Sequence, residues 1–214
     1  MIYSIKKIVM TLFSTFPLVG SSAVQEKQDP AIEKKTAIKI ILGSTRQGRS
    51  SEIIARNLEK IAQSQGIVLE IIDLRVHQLP FLDDPIAPAK RKEITDPEVK
   101  KWSEKIKDGD AFILICPEYN GGYPGVLKNA LDSLFVEWNN KPVGMVVYSG
   151  GPSGGTNVLE QLNQVAERLK MIPITTAIKI PTTWKAFDTN GDFIDTSITQ
   201  SFERMLNELI SALK

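Results

Sequence analysis

The chain contains few of the residues that carry most side-chain catalysis. Its 214 residues include one cysteine, Cys116, and one histidine, His77. A single cysteine excludes an internal disulfide and any multi-cysteine zinc or iron–sulfur site. A single histidine leaves little material for a Ser-His-Asp or Cys-His active site. If the protein is an enzyme, its chemistry must rest on something other than a histidine-centred site.

The chain also lacks an excess of charge of either sign. It has 26 Lys and Arg against 25 Asp and Glu, a formal net charge of +1. This balance provides no field to attract nucleic acid or an anionic membrane, so we expect neither as a partner. It also differs from the strongly acidic surface of a dedicated electron carrier. With 42% hydrophobic residues, the chain can bury the core of one medium-sized domain without metals or disulfides.

Residues 1–23 have the composition of a secretory signal peptide. Lys6 and Lys7 precede an uncharged apolar run over Ile8–Gly20, and Ser21-Ser22-Ala23 places small residues where a signal peptidase cleaves. The run is shorter than the roughly 20 residues that span a bilayer, so a retained transmembrane helix is the weaker interpretation.

These features predict a signal peptide over 1–23, a polar tether over 24–35 and a folded domain over 36–214. We expect an exported, periplasmic protein without a membrane anchor if the signal is cleaved, and a cytoplasmic protein otherwise.

Beyond residue 35, short apolar runs alternate with amphipathic segments. Strands are predicted over Ala37–Leu42, Ile67–Ile72, Ala111–Cys116, Val143–Tyr148 and Thr175–Ile180. Helices are predicted over Ser51–Gln65, Pro97–Lys107, Pro124–Phe135, Asn157–Leu169 and Ser197–Leu213, and a long surface loop over Leu74–Asp96. This order is typical of an α/β protein whose parallel sheet is covered by helices on both faces. Ligands of such proteins bind beyond the carboxyl ends of the strands.

The loop after the first strand, Gly43–Ser51 (GSTRQGRSS), is suited to a phosphate. It leads into a helix N-terminus, where free N–H groups and the helix dipole favour an anion, and Arg46 and Arg49 add positive charge. Its spacing also nearly matches a P-loop, with Asp73 as a possible acidic partner of magnesium, but Arg49 stands where that motif requires lysine. The loop alone therefore indicates a phosphate, with a P-loop nucleotide hydrolase as one alternative.

The loops after the third and fourth strands are suited to a flat ring. Pro117–Gly125 (PEYNGGYPG) contains no basic residue, and its glycines allow close approach of the backbone. Ser149–Thr156 (SGGPSGGT) is equally small and uncharged. One loop for a monophosphate and two for a planar ring describe flavin mononucleotide (FMN).

Gly43–Ser51 together with Pro117–Asp132 (PEYNGGYPGVLKNALD) resembles the NADPH-dependent FMN reductase family. The resemblance runs from about Ala37 to about Trp184. It implies a flavodoxin-like fold, that is, a doubly wound five-stranded parallel sheet with strand order 2-1-3-4-5, and a homodimer or homotetramer with FMN near the subunit interface. The resemblance also implies that the phosphate is held by Ser44, Arg46, Arg49 and Ser51, the ring by Pro117, Glu118, Tyr119 and Asn120, and the ring's far edge by Ser149, Gly150 and Gly151.

We therefore expect an FMN-dependent NAD(P)H oxidoreductase, with NADPH or NADH as co-substrate. It would pass electrons to a small-molecule acceptor: a quinone, an azo compound, a metal oxyanion or free flavin. No catalytic side chain and no metal is required, because the cofactor carries the redox chemistry. The alternative is a flavin-binding electron carrier without its own NAD(P)H reaction. Glu118 is expected to fix its loop as a hydrogen-bond acceptor, and Cys116 to be an inert buried thiol.

Overall fold

Five parallel strands form one sheet at the centre of residues 36–214, the part of the chain that the computed structural model describes. The strands are β1 (Ile38–Leu42), β2 (Leu69–Asp73), β3 (Ala111–Pro117), β4 (Pro142–Tyr148) and β5 (Ile172–Ile180). The helices are α1 (Ser51–Ser64), α2 (Pro97–Lys107), α3 (Gly125–Asp132), α4 (Thr156–Arg168) and α5 (Thr196–Ser211). Short 3-10 turns lie at Pro88–Lys90, Val136–Trp138 and Thr183–Lys185. The predicted signal peptide and tether lie outside the described residues.

The strand order is β2-β1-β3-β4-β5, and every neighbouring pair is parallel. This confirms the predicted doubly wound, flavodoxin-like sheet. All residues of β1, β3 and β4 are buried, which explains why these strands appear in the sequence as nearly continuous apolar runs. Because all five strands point the same way, the loops after β1, β3, β4 and β5 emerge at one edge of the sheet.

Two hydrophobic layers cover the sheet. On one face, Trp138 of the 3-10 turn at 136–138 packs edge-to-face with Trp102 of α2 and with Phe112 of β3. On the other face, α1 and α5 bury side chains such as Leu58 and Phe202. No helix within residues 36–214 is long and apolar enough to cross a membrane.

Two predicted boundaries differ from the structure by three residues, and the others by at most two. The helix predicted over Pro124–Phe135 is α3, which ends at Asp132 and is followed by the separate turn at 136–138. Strand β5 begins at Ile172 rather than Thr175. A proline at position 173 argues against a central strand, but β5 lies at the edge of the sheet, where a missing N–H is tolerated.

Candidate active site

The loops after β1, β3, β4 and β5 surround a cleft of about 430 Å³ at the carboxyl edge of the sheet. Clefts of this size are typical of small-molecule and cofactor sites. Its lining comprises Arg46, Gln47, Gly48, Arg49, Ser50, Pro117, Glu118, Tyr119, Tyr148, Ser149, Gly150, Thr183 and Trp184. Both arginines of the lining come from the loop after β1, and the loops after β3 and β4 contribute no basic residue.

The β1 loop presents an uncapped helix N-terminus to the cleft. Ser50 occupies the N-cap position of α1, but its side chain makes no capping hydrogen bond, so first-turn N–H groups remain available to an anion. The guanidinium of Arg46 is exposed and forms no ion pair with any residue in 36–214; it lies 5.5 Å from the centre of the Tyr119 ring. This loop therefore offers both N–H donors and an uncommitted positive charge.

Arg49 is committed to other partners. Its side chain is only 1% exposed, and its Nη1 and Nη2 atoms donate to the two carboxylate oxygens of Asp73 at 2.8 and 2.5 Å. It also donates to Glu52 at 3.0 Å and to the carbonyl of Ser44. Burial alone would raise the pKa of Asp73, but the hydrogen bonds and charge of Arg49 outweigh it and hold that pKa below its usual value.

The pairing of Arg49 and Asp73 has two consequences. Arg49 fixes the course of the β1 loop, and the carboxylates of Glu52 and Asp73 balance the charge of its guanidinium. Asp73 is engaged by Arg49 and by the N–H of Arg75 at 2.8 Å, so it is not placed as the acidic magnesium partner that a P-loop hydrolase would need. Asp73 therefore does not support the alternative of a P-loop nucleotide hydrolase.

Two buried hydroxyls beneath this loop lack partners. Ser51 Oγ, at the first residue of α1, and the Tyr148 hydroxyl, at the end of β4, make no hydrogen bond within residues 36–214. Burial raises the pKa of Tyr148 to about 12, and the nearby Ser51 side chain acts in the opposite direction. Tyr148 is therefore a neutral donor at every ordinary pH. Orphaned buried hydroxyls are uncommon, and here they lie beside an uncapped helix N-terminus, so the site fits a phosphate.

The β3 loop closes in a tight hairpin. Tyr119 and Gly122 exchange backbone hydrogen bonds of 2.8 and 3.0 Å, while Asn120 and Gly121 between them have φ values of 52° and 80°. Two successive positive φ values define a type I′ turn, for which Asn-Gly is the preferred sequence. Tyr119 reaches back to the phosphate loop, where its hydroxyl lies 2.7 Å from Ser44 Oγ.

Helix α4 holds the same hairpin from the other side. The Glu118 carboxylate accepts from the N–H groups of Asn157 and Val158 at 3.1 and 3.3 Å and from Asn157 Nδ2 at 3.1 Å. Gln161 donates to the Gly121 carbonyl at 2.7 Å. Glu118 thus caps α4, which confirms its predicted role as a loop-fixing acceptor. Its negative charge is used at the helix and not left free in the cleft.

The β4 loop is braced by the segment after β5. The Ser149 carbonyl accepts from both the N–H and Oγ1 of Thr183, at 3.0 and 2.8 Å. The Gly151 carbonyl accepts from Ser149 Oγ and from the N–H of Thr182, each at 3.0 Å. These bonds hold Ser149 and Gly150 at the wall of the cleft.

The structure brings most, but not all, of the predicted site residues to the cleft surface. Those that line it are Arg46, Arg49, Pro117, Glu118, Tyr119, Ser149 and Gly150. Ser44 and Ser51, near the two ends of the β1 loop, are buried and do not line the cleft. Asn120 is exposed at the tip of the hairpin, and Gly151 serves through its carbonyl as a brace. Neither of these last two is part of the lining.

Gln47, Gly48 and Ser50 also line the cleft, and they lie in the predicted β1 loop without having been singled out. Sequence reasoning missed three more lining residues, Tyr148, Thr183 and Trp184. For Tyr148 the signal was weak, because a tyrosine ending an apolar strand is indistinguishable from a core residue. For the other two a signal existed, since the strand order 2-1-3-4-5 places the segment after β5 beside the loop after β4.

The fold and the cleft together define a flavodoxin-like α/β protein with a site built for a phosphorylated planar ligand. Residues 36–185 match the family model described as NADPH-dependent FMN reductase. The chain is 38% identical over 148 residues to an NAD(P)H-dependent FMN reductase of Schizosaccharomyces pombe, covering 67% of this chain and 73% of that protein. It is 34% identical over 140 residues to an FMN-dependent NADPH-azoreductase of Staphylococcus aureus, covering 65% and 73%.

Solved structures extend the likeness of fold. A flavoenzyme NAD(P)H:acceptor oxidoreductase from Paracoccus denitrificans superposes with a TM-score of 0.68 at 22% identity, covering 83% of this chain and 97% of the other. The chain belongs to the NADPH-dependent FMN reductase family. The predicted enzyme class and cofactors, FMN with NAD(P)H, are confirmed.

Proposed function

We propose that FMN binds in the cleft with its phosphate on the β1 loop and its ring between the β3 and β4 loops. Bound there, FMN supplies the redox chemistry that moves a hydride from NAD(P)H toward a small-molecule acceptor. The observation that carries the proposal is the pair of orphaned buried hydroxyls, Ser51 and Tyr148, beside the uncapped start of α1.

At the phosphate end, four groups provide donors. The first-turn N–H groups of α1 and the hydroxyls of Ser51 and Tyr148 would donate hydrogen bonds to the phosphate. Arg46 would add a charge that no carboxylate in residues 36–214 neutralises. Hydrogen bonds to charged groups are the strong ones, each worth about 1.5–3 kcal/mol. Arg49 acts indirectly, because its pairing with Asp73 sets the position of the loop.

At the ring end, the walls are backbone and small side chains. Pro117, Tyr119, Ser149 and Gly150 form them, and the Glu118 carboxylate is turned to α4. A flat heteroaromatic ring can therefore contact main-chain groups without facing an uncompensated charge.

Titration of apo-protein with FMN and with riboflavin tests this placement. The two ligands share the ring and differ in the phosphate, so we expect FMN to bind at least about 100-fold more tightly, the equivalent of two charge-assisted hydrogen bonds. Equal affinities would contradict a phosphate site on the β1 loop. Absence of flavin binding altogether would contradict the proposed function.

The acceptor is proposed to be a small organic molecule such as a quinone or an azo compound. Support comes from the azoreductase relative and from a probable NADPH:quinone oxidoreductase of Oryza sativa that is 28% identical over 191 residues. Steady-state assays with NADPH and a panel of quinones, azo dyes, chromate and free flavin rank the acceptors. Faster turnover with chromate or free flavin than with every organic acceptor would contradict the proposal.

The protein is also proposed to be a homodimer or homotetramer. Several large apolar side chains of the long loop between β2 and α2 are exposed, with Phe81 at 83% and Val76 at 76%, and exposed apolar groups of this kind favour association. We expect sedimentation to show a dimer or tetramer and Phe81→Ser to weaken it. A wild-type protein that sediments as a monomer at micromolar concentration would contradict this part.

Export is proposed from the composition of residues 1–23. The intact mass of protein from fractionated cells tests it, and we expect a mature chain beginning at Val24 in the periplasmic fraction. A full-length chain in the cytosol would overturn the proposal and give the enzyme direct access to cellular NAD(P)H.

A further inference from the structure

One tryptophan of the chain stands apart from the other two. Trp102 and Trp138 are completely buried, whereas Trp184 is 71% exposed and lines the cleft. An indole left in water at the rim of this cleft contributes little to the core. Its position calls for a role in binding.

The backbone that presents Trp184 is held tightly. Thr183 is buried, with both of its donors on the Ser149 carbonyl. Thr182 has φ = 46°, a left-handed conformation that is costly for a β-branched residue. Because the β4 loop and this turn are hydrogen-bonded to one another, Trp184 is fixed relative to the ring side of the cleft.

The rim around Trp184 is positively charged. Lys185 Nζ lies 4.5 Å from the centre of the indole ring, within the range of a cation–π contact. Lys185 forms no ion pair with any residue that the structure describes, and Arg46 across the cleft is likewise uncommitted. Glu118, the one carboxylate in the lining of this cleft, is engaged by α4.

We infer that Trp184 and Lys185 form the acceptor subsite, which selects electron-poor planar rings carrying an anionic group. The electron-rich indole stacks on the ring of a quinone or azo compound, and the ammonium group favours a sulfonate or carboxylate on that ring. In the overall reaction NADPH loses a hydride, and the quinone with that hydride and one solvent proton becomes the hydroquinone. This inference rests on the proposed function.

Stopped-flow kinetics of the FMN-loaded enzyme separate the two half-reactions. The reductive half uses NADPH, and the oxidative half uses naphthoquinone sulfonate or unsubstituted naphthoquinone. We expect Trp184→Ala to slow oxidation by both quinones by about three- to tenfold at subsaturating acceptor, with Trp184→Phe restoring most of the rate. Lys185→Gln should lower the preference for the sulfonated over the unsubstituted quinone by about two- to fivefold.

A matched control comes from the opposite edge of the sheet. Lys170 makes the same kind of contact with Phe135, with Nζ 5.8 Å from the ring centre, so Lys170→Gln removes an equivalent ammonium and should leave the quinone preference unchanged. Slowing of the NADPH half-reaction instead of the quinone half would overturn the inference, because the subsite would then belong to the nicotinamide nucleotide.

Fluorescence provides a readout of binding without turnover. Since the other two tryptophans are buried, naphthoquinone sulfonate added to the oxidised holoenzyme should quench Trp184 selectively, and Trp184→Phe should abolish the saturable part. If Trp184→Ala and Lys185→Gln are both reduced normally by NADPH and both react with the quinones as wild type does, the acceptor subsite is refuted and the proposed function stands. Failure of NADPH to reduce the flavin would refute the proposed function.

Discussion

Replacing Tyr148 by phenylalanine should stabilise the apo-protein and weaken its binding of FMN at the same time. The Tyr148 hydroxyl is buried without a partner, and an unsatisfied buried donor costs about 1–3 kcal/mol. Removing it should recover part of that cost, and each kcal/mol raises the Tm of a chain of this size by about 2–4 °C. With FMN bound, the same hydroxyl would donate to a charged phosphate, so its loss should weaken FMN by about 10- to 150-fold.

The assay compares three quantities in wild type, Tyr148→Phe and Ser51→Ala: apo-protein Tm, FMN affinity and riboflavin affinity. Riboflavin lacks the phosphate, so its affinity should stay within about twofold in both variants. Tyr123→Phe, which removes a phenolic hydroxyl outside the cleft lining, is the matched control and should alter none of the three. Equal losses of FMN and riboflavin, or an unchanged FMN affinity, would refute the assignment of Tyr148 to the phosphate.

Three further predictions concern neighbouring groups. Arg46→Ala should weaken the binding of FMN by about 10- to 100-fold, and by more than Tyr119→Phe does, because the Tyr119 hydroxyl bonds to Ser44 of the protein. Titration of both apo-variants with FMN gives the order, and a larger loss of affinity in Tyr119→Phe would contradict the assignment of Arg46 to the phosphate. The pKa of Asp73 is depressed in the folded state, so its pairing with Arg49 contributes stability above its unfolded pKa of about 3.9 and loses it as pH falls further. The Tm difference between wild type and Asp73→Asn should accordingly be constant from pH 7 to about 5 and shrink below about 4; a difference that vanishes by pH 6 would contradict this. Burial raises the pKa of the Cys116 thiol, so N-ethylmaleimide should leave the native protein unlabelled, and rapid labelling with loss of activity would show that Cys116 is accessible.

The fold could be predicted because its three central strands, β1, β3 and β4, are buried on both faces. The run Ala111–Pro117 has no polar side chain except the Cys116 thiol, and Ile38–Leu42 is interrupted only by Lys39. The alternation of such runs with helices limits the sheet to few topologies. The two ends of the site could be located for the same reason, since parallel strands bring Arg46 and Pro117 to one edge. The remaining parts depend on contacts between distant segments.

Arg49 illustrates what the pattern could not reveal. The sequence predicts that Arg49 is a phosphate ligand. In the folded sheet, however, Leu42 of β1 pairs with Asp73 of β2, and this register brings the Asp73 carboxylate to the Arg49 guanidinium. Tyr148 is a comparable case, because only the folded arrangement of the end of β4 and the start of α1 places its hydroxyl near Ser51. Both residues take their roles from the register of the sheet.

The most direct test of the account is anaerobic mixing of the FMN-loaded protein with NADPH, in wild type and in Arg46→Ala at FMN concentrations that saturate each protein. We predict rapid, stoichiometric loss of the oxidised-flavin absorbance in both proteins. The variant should require a much higher FMN concentration for saturation than wild type, but the same riboflavin concentration. A flavin that binds but stays oxidised with NADPH and NADH would contradict the reductase activity and leave an electron carrier. Saturation of wild type and variant at the same FMN concentration would contradict the placement of the phosphate.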